Sequence, residues 1–315
     1  MDRLLIIGGT GFVGKSIIDY LIRGGFIAEK IKCVDIVSRG AKNLMHTHPE
    51  LIAANVRLHN IDITSCKELP EAHLVIHAAA STDARLYQAN PREMESNIRL
   101  GIDNFCKIMK RDFRKSKILY LSSGAVYGQQ PASVNLISED FEFLPLSTLA
   151  EGKILYAETK RYGENKFREL ADSCLAVSIA RCFTFWGRYL PKDQHFAIGN
   201  FINDGLTNEK VLVKTNQYVY RSYMSADDMA EWIIKICKIA KPSNLEIYNV
   251  GSDEGIALHD LAMLVASKYG KTIDFSGISS EIVDRYVPSI ERAKRLGLLL
   301  KDRLDVILSK AAKNE

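Results

Sequence analysis

Three side chains in this sequence are spaced to move a proton. Tyr156 and Lys160 lie in Tyr156-Ala157-Glu158-Thr159-Lys160, so on a helix they share one face, a turn apart. A free phenol has a pKa of about 10, and bringing it to ~7 takes about 4 kcal/mol. An ammonium ~4 Å away at an effective dielectric of ~20 supplies roughly that much, which would make the tyrosine a working acid and base. The third side chain is Ser123, in Tyr120-Leu121-Ser122-Ser123-Gly124-Ala125-Val126-Tyr127-Gly128. That stretch closes a candidate strand at its carboxyl end, where ligands of open α/β sheets bind. Ser123 would hydrogen-bond the substrate oxygen whose proton Tyr156 handles, with its neighbour Ser122 packed away.

A second group of residues is built to hold an anion. Leu4-Leu5-Ile6-Ile7-Gly8-Gly9-Thr10-Gly11-Phe12-Val13-Gly14 reads as a strand, a glycine turn and a helix start. Gly8 allows the tight turn, Gly11 the close approach of a pyrophosphate, and Gly14 the packing of helix on strand. The helix N-terminus adds unpaired amides, so Gly8, Thr10, Gly11, Phe12, Val13 and Gly14 form the candidate dinucleotide cradle. Asp35 follows Gly14 by about 20 residues, at the expected end of a second strand, where a carboxylate binds the adenosine ribose hydroxyls. It would repel a 2′-phosphate, which predicts NAD over NADP. Arg39, close behind, is the residue that would reverse this preference. An oxidised nicotinamide would also add positive charge beside Tyr156.

The elements that must position these residues follow from periodicity. Apolar runs at Leu4–Ile7, Ile31–Val37, Val56–Leu58, Leu74–His77, Ile118–Leu121 and Ala176–Ala180 predict parallel strands covered on both faces. Amphipathic stretches at Phe12–Arg23, Pro91–Phe113 and Ile154–Ala171 predict the intervening helices, the second carrying Met94, Ile98, Ile102 and Phe105 along one side. The alternation predicts an α/β fold with a doubly wound, Rossmann-like parallel sheet. Beyond Gly187 the pattern predicts a helix near Phe196–Leu206, a strand at Val211–Val213, a helix at Ala226–Ile239 and a strand at Glu246–Val250. Two or three further helices run from Leu258 onward. The expected organisation is a dinucleotide-binding domain over 1–183, taking in parts of 215–250, and a smaller, mostly helical, discontinuous substrate domain over 184–315.

Charge and composition exclude several other classes. The net charge of +4 over 315 residues is dispersed, and the basic runs 107–117 and 285–301 alternate with apolar residues as solvated helix faces do, so no nucleic-acid partner is expected. Cysteines 33, 66, 106, 174, 182 and 237 form no CxxC pair and read as reduced thiols. No run approaches the ~18 apolar residues of a membrane span, and the apolar run at Leu4–Ile7 is too short for a signal-peptide core. A cytoplasmic protein with no membrane partner is expected. His46 and His48 share a polar loop without further donors at ligand spacing, so no metal is expected.

With these pieces in order, the chain resembles the extended short-chain dehydrogenases/reductases of the nucleotide-sugar epimerase/dehydratase family. The resemblance rests on GGTGFVG at 8–14, VDIVSRG at 34–40, Asp62-Ile63, HAAAS at 77–81, Asn97 to Gly101, SSGAVYG at 122–128 and YAETK at 156–160. RCFTFWG at 181–187, YRSYMSADDMA at 220–230, YNVG at 248–251 and YVPSIERAKRLG at 286–297 extend it over nearly the whole length. It implies that Asp62 and Ile63 meet the adenine, that His77, Ala78 and Ala79 line the dinucleotide, and that Lys160 also holds the nicotinamide ribose. Arg221 would contact a nucleotide diphosphate, with Arg285 a weaker candidate, and Asp227 and Asp228 would cap a helix. The resemblance further implies a homodimer built on the helices at Pro91–Phe113 and Ile154–Ala171. Thr184 stands where the family usually has Asn, and Arg188 where it has Pro. The segment 191–203, with His195 and Asn200, would line the substrate pocket.

The same resemblance orders the reactions. Sugar 4,6-dehydratases carry an acid directly after the catalytic hydroxyl residue, whereas Gly124 and Ala125 follow Ser123 here, and the cysteine of the reducing 3,5-epimerases is absent from this segment. A nucleotide-sugar 4-epimerase needs only Ser123, Tyr156, Lys160 and NAD, and is the expected activity. A 4-ketoreductase, a 4,6-dehydratase and a non-catalytic dinucleotide sensor or scaffold are the alternatives.

Overall fold

The protein is described by a computed structural model, which covers residues 1–80, 87, 89–149, 151–191, 196–275 and 277–311. The six apolar runs of the first half become β1 (Asp2–Ile7), β2 (Ile31–Ser38), β3 (Val56–Asn60), β4 (Leu74–His77), β5 (Lys117–Ser123) and β6 (Ala176–Cys182). With Glu246–Val250 they form one parallel seven-stranded sheet in the order Glu246–Val250, β6, β5, β4, β1, β2, β3. The order reverses beside β1, so a crevice opens over the carboxyl ends of β1 and β4.

Both faces of the sheet are covered because successive strand residues point to opposite sides. Leu4, Ile6, Val34 and Ile36 pack under the helices Phe12–Tyr20 and Ala226–Ile239, through Ile17, Ile18, Trp232 and Ile233. Leu5, Ile7, Val75 and Ile118 pack under Pro91–Asp112 and Glu151–Asp172, through Ile102, Phe105, Met109, Phe167 and Leu170. Each such side chain, fully buried, contributes roughly 1.5–3 kcal/mol. A third core joins Ile198, Phe201, Val211, Leu261, Val265 and Ile307 in the C-terminal region, around the helices Ala197–Thr207, Leu258–Tyr269 and Leu304–Ala311.

Several boundaries move in ways that matter for the site. The first helix stops at Tyr20 and passes into a π-helical turn, Leu21–Gly25, where Gly24 takes φ 124°. β2 continues to Ser38, β5 to Ser123 and β6 to Cys182, each reaching past its apolar run. Two strands replace expected helix or loop beyond Leu258. Thr272–Phe275 pairs with Lys210–Val213, and Val283–Tyr286 pairs with Tyr218–Arg221, itself joined to Ile256–Ala257. Val-Asp-Arg-Tyr has too few apolar residues to show a period, so its strand character comes from its partner.

The six cysteines are free thiols, and among the described residues no helix is long and apolar enough to cross a membrane. Nor, among these residues, do three His, Cys, Asp or Glu side chains gather where they could hold a metal ion.

Candidate active site

The glycine turn fits a pyrophosphate on steric grounds. Gly8 has φ +79°, and a Cβ there would lie 2.6 Å from the Ala79 Cα, because the backbone after β4 crosses directly against it. A Cβ on Gly14 would lie 2.2 Å from the Gly9 carbonyl oxygen, so glycine is needed to seat helix on turn. Gly11 is different. A Cβ there would meet only the Gly8 oxygen, at 3.6 Å, so its bare backbone leaves space in front of the helix. No side chain caps the N-terminus of Phe12–Tyr20, and its first amides remain available to an anion. Thr10, Phe12 and Val13 sit around that opening, and Ala78 is tied to β1 by its amide on the Ile7 carbonyl, 2.8 Å away.

The adenosine end departs from expectation. Asp35 lies inside β2, paired in register with Leu5 and Arg57, three residues before the strand ends. Only 2 % of it is exposed, and its Oδ1 lies 2.8 Å from His59 Nε2 on the neighbouring strand. The carboxylate that the sequence assigns to the ribose is thus paired with His59 inside the strand, three residues short of its carboxyl end. Asp62 accepts from the Thr64 amide and hydroxyl, at 2.9 and 2.8 Å, and from Arg39 Nε at 2.9 Å. Burial acts to raise its pKa, but these donors outweigh it and hold the carboxyl below its usual range. Ile63 packs against the helix Pro91–Asp112, its carbonyl accepting from Asn104 at 3.0 Å. His77 too is turned inward. Its ring is buried among Phe105, Tyr120 and Phe167, and burial, aided by Lys160, pushes its pKa down to about 3. The ring is a neutral core side chain, so only the backbone of His77 is left to face the crevice.

Ser123, Tyr156 and Lys160 come together at the carboxyl end of β5. Ser123 ends β5, and its Oγ accepts from the Ala125 amide at 3.2 Å, capping the short turn Gly124–Tyr127. Tyr156 and Lys160 project from one face of Glu151–Asp172. That helix is pinned by a buried network: Glu164 accepts from Ser122 at 2.6 Å and from Arg181 at 2.9 and 2.8 Å. Ser122 is therefore structural, as expected.

The electrostatics differ from the simple pair. Lys160 Nζ donates to the Leu121 carbonyl at 2.8 Å and lies 5.8 Å from the centre of the Tyr156 ring. Burial raises the Tyr156 pKa to about 12, although the Ser123 hydroxyl pulls the other way. Burial lowers Lys160 to about 8, against the smaller opposing effects of Cys182 and Glu164. Each group is thus driven toward its neutral form in the protein alone, because desolvation is the largest influence on both.

This has a consequence for stability. Lys160 falls from its ordinary 10.5 to about 8, so between those values the unfolded chain binds more protons than the folded one. The cost of burying the ammonium is complete below pH ~8 and fades as pH rises toward ~10.5. Replacing the lysine by methionine (Lys160→Met) should therefore stabilise the protein most near pH 7, with the gain shrinking above pH 8 in urea titrations. A gain that grows with pH would contradict this.

A further hydroxyl, not singled out in the sequence, completes the cluster. Tyr286 OH lies 3.3 Å from Ser123 Oγ and donates to the Cys182 carbonyl, also at 3.3 Å. A Cβ on Gly124 would sit 2.6 Å from Phe183 Cζ and 2.8 Å from this hydroxyl. Cys182 is level with Ser123 across β5 and β6, but burial pushes its thiol up to about 12, so it is not a thiolate near neutrality.

Of the residues assigned to the substrate, Arg221 stands beside Tyr286 across paired strands, its Nη2 on Asp284 Oδ2 at 2.6 Å. Burial would raise the Asp284 pKa, but Arg221 overrides it and holds the carboxyl low. Arg285 belongs to the opposite face, stacked 4.2 Å from the Tyr220 ring centre. Thr184 is half-buried just past β6, where its carbonyl accepts from the Met224 amide at 3.1 Å. Asn200 is exposed on the helix Ala197–Thr207, and His195 lies outside the described residues. Asp228 is bonded through its amide to Ser225 Oγ at 3.1 Å, so Ser225 is the cap that had been assigned to Asp227 and Asp228.

A glycine cradle on β1, a hydroxyl at the end of β5 and a Tyr–Lys pair on the following helix are matched by one description: the NAD dependent epimerase/dehydratase family, whose model matches residues 4–251. The chain belongs to that family. Among curated proteins it is similar to a putative UDP-glucose 4-epimerase of Methanocaldococcus jannaschii, 26% identical over 85% of this chain and 82% of the relative. It is equally similar to UDP-glucuronic acid decarboxylase 1 of Danio rerio, 26% identical over 93% of this chain and 68% of that protein. Among solved structures, the UDP-N-acetylglucosamine 4-epimerase of Methanobrevibacter ruminantium superposes with TM-score 0.81, at 18% identity over 99% of this chain and 97% of that one. The dTDP-glucose 4,6-dehydratase of Streptomyces venezuelae, solved with NAD, gives 0.80 at 19% identity over 99% and 96%. These structures share the fold. The cofactor in the family's description is NAD, and the cradle around Gly8, Gly11 and Gly14 has the shape for a dinucleotide.

Proposed function

We propose that this family member is a nucleotide-sugar 4-epimerase working through a transient 4-keto sugar. The observation that carries the reading is the filled space at Gly124. Phe183 and Tyr286 occupy the place of any side chain there, so the acid that a 4,6-dehydratase uses next to its catalytic hydroxyl has no room. What Ser123, Tyr156, Tyr286 and Lys160 provide is proton transfer to and from one substrate hydroxyl. Tyr156 takes the C4 hydroxyl proton and later returns it, Ser123 holds the oxygen, and Tyr286 orients Ser123. Lys160 steadies the ionised Tyr156 and the nicotinamide ribose. NAD, when bound, would supply the hydride acceptor and a second positive charge beside Tyr156.

The half-buried Arg221, next to Tyr286, is placed in this proposal at the diphosphate of the substrate, with the residues after 184 forming the sugar side. UDP- and dTDP-hexoses are the first substrates to try, in view of the similar proteins. The test is product formation with catalytic NAD and no net change in reduced dinucleotide. Stoichiometric consumption of NADH or NADPH would replace the epimerase by a 4-ketoreductase, the second reading, which the burial of Asp35 favours. Assembly as a homodimer through Pro91–Asp112 and Glu151–Asp172 belongs to the same proposal, and light scattering decides it.

A further inference from the structure

Selection at the adenosine ribose depends on what stands at the carboxyl end of β2, level with the glycine turn. That level is fixed by two contacts: the Gly8 amide donates to the Val37 carbonyl at 2.8 Å, and Thr10 Oγ1 lies 3.0 Å from Ser38 Oγ. The residues there are Val37, Ser38 and Arg39, none of them acidic. Asp35 lies three residues back, roughly 10 Å along an extended strand, and is closed off against His59. No carboxylate of β2 therefore bids for the ribose hydroxyls or repels a phosphate on them. Arg39 is well exposed, with Nε on Asp62 Oδ2 at 2.9 Å. A guanidinium has five donors, so the ion pair leaves a fork able to meet a phosphate. Two hydroxyls, Ser38 and Thr10, stand beside the same turn.

We propose that the dinucleotide site takes NADP(H) as well as NAD(H), with Arg39, Ser38 and Thr10 receiving the 2′-phosphate. Asp62 then acts as the anchor that keeps Arg39 at the ribose. The pair spans two exposed side chains, so its own contribution to folding is small, and Arg39 variants should fold. The inference concerns the cofactor alone and is independent of which sugar reaction follows.

The experiment is calorimetric titration of the protein, without sugar, with NAD+, NADP+ and adenosine 2′,5′-bisphosphate. NADP+ should bind at least as tightly as NAD+, and adenosine 2′,5′-bisphosphate more tightly than 5′-AMP. Arg39→Ala should weaken NADP+ by tenfold or more while leaving NAD+ within about threefold. Ser38→Asp, which places a carboxylate where Asp35 is not, should weaken NADP+ by at least tenfold and spare NAD+. NADP+ binding a hundredfold weaker than NAD+, or equal losses for both nucleotides in Arg39→Ala, would overturn this inference and leave the NAD-dependent reading standing. Binding of neither nucleotide would overturn both.

Discussion

Replacing Tyr156 by phenylalanine is expected to lower turnover by at least ~100-fold while dinucleotide affinity stays within about threefold. The phenol is the group placed to exchange a proton with the substrate oxygen, and losing a positioned acid/base costs 10²- to 10⁴-fold. The ring remains, so its edge-to-face contact with Tyr87, at 5.6 Å between centroids, is kept and the helix should not shift. Lys160→Ala should reduce both rate and dinucleotide binding, and Ser123→Ala should cost less than Tyr156→Phe. Steady-state kinetics with fluorescence titration of the dinucleotide separates these outcomes. A Tyr156→Phe variant within tenfold of the unaltered rate would remove Tyr156 from the chemistry.

The largest effect on stability is expected at Arg181. It and Glu164 are 3% and 1% exposed and joined at 2.8 Å, with Ser122 on the same carboxylate. Removing one partner of such a pair leaves an uncompensated buried charge, and Arg181→Ala should cost about 3–5 kcal/mol. The guanidinium also covers the rings of Tyr127 and Phe143, 4.7 and 4.8 Å from their centres, so part of the loss is packing. Removing both charges, with Glu164→Gln and Arg181→Met, should recover a good part of it, read from urea midpoints at constant slope. Because Glu164 lies one turn beyond Lys160, Arg181→Ala should also loosen the catalytic helix. A loss below 1 kcal/mol for Arg181→Ala would show that the network does not hold that helix.

How much of this was legible in the sequence depended on whether a feature was local. The parallel sheet announced itself because strands buried on both faces are nearly all apolar, as Leu4–Ile7 and Leu74–His77 are. The cradle and the Tyr156–Lys160 pair depend on spacing within one turn, which sequence states directly. Asp35 was placed by counting residues from Gly14, which does not fix register. β2 runs on to Ser38, one residue past the expected Val37, so Asp35 stands three residues inside the strand. For His77 the reason is related, since alternation in β4 turns its ring into the core and leaves only backbone near the crevice. Tyr286 was hidden by distance, as it reaches Ser123 across 163 residues on a strand too short to show a period. The signal that remained was Gly124, whose missing side chain makes room for that hydroxyl. The charge states were illegible for a different reason. Spacing brings Lys160 near Tyr156, but only the fold shows that Lys160 is buried, that Tyr156 is half-buried and that the ammonium turns to the Leu121 carbonyl.

The central claim is that one hydrogen leaves C4 of the sugar and returns to it without meeting water. The direct measurement is the fate of isotope in a nucleotide sugar deuterated at C4, with the converse reaction run in heavy water. If Tyr156 handles only the hydroxyl proton and the hydride is held on the cofactor, deuterium should stay at C4 of the epimerised product. No solvent deuterium should then enter C3 or C5. Mass spectrometry of the product, with proton NMR to place the label, reads both. Solvent deuterium at C5 would contradict the account, because it requires removal of a carbon-bound proton by a group that Ser123, Tyr156, Tyr286 and Lys160 do not supply.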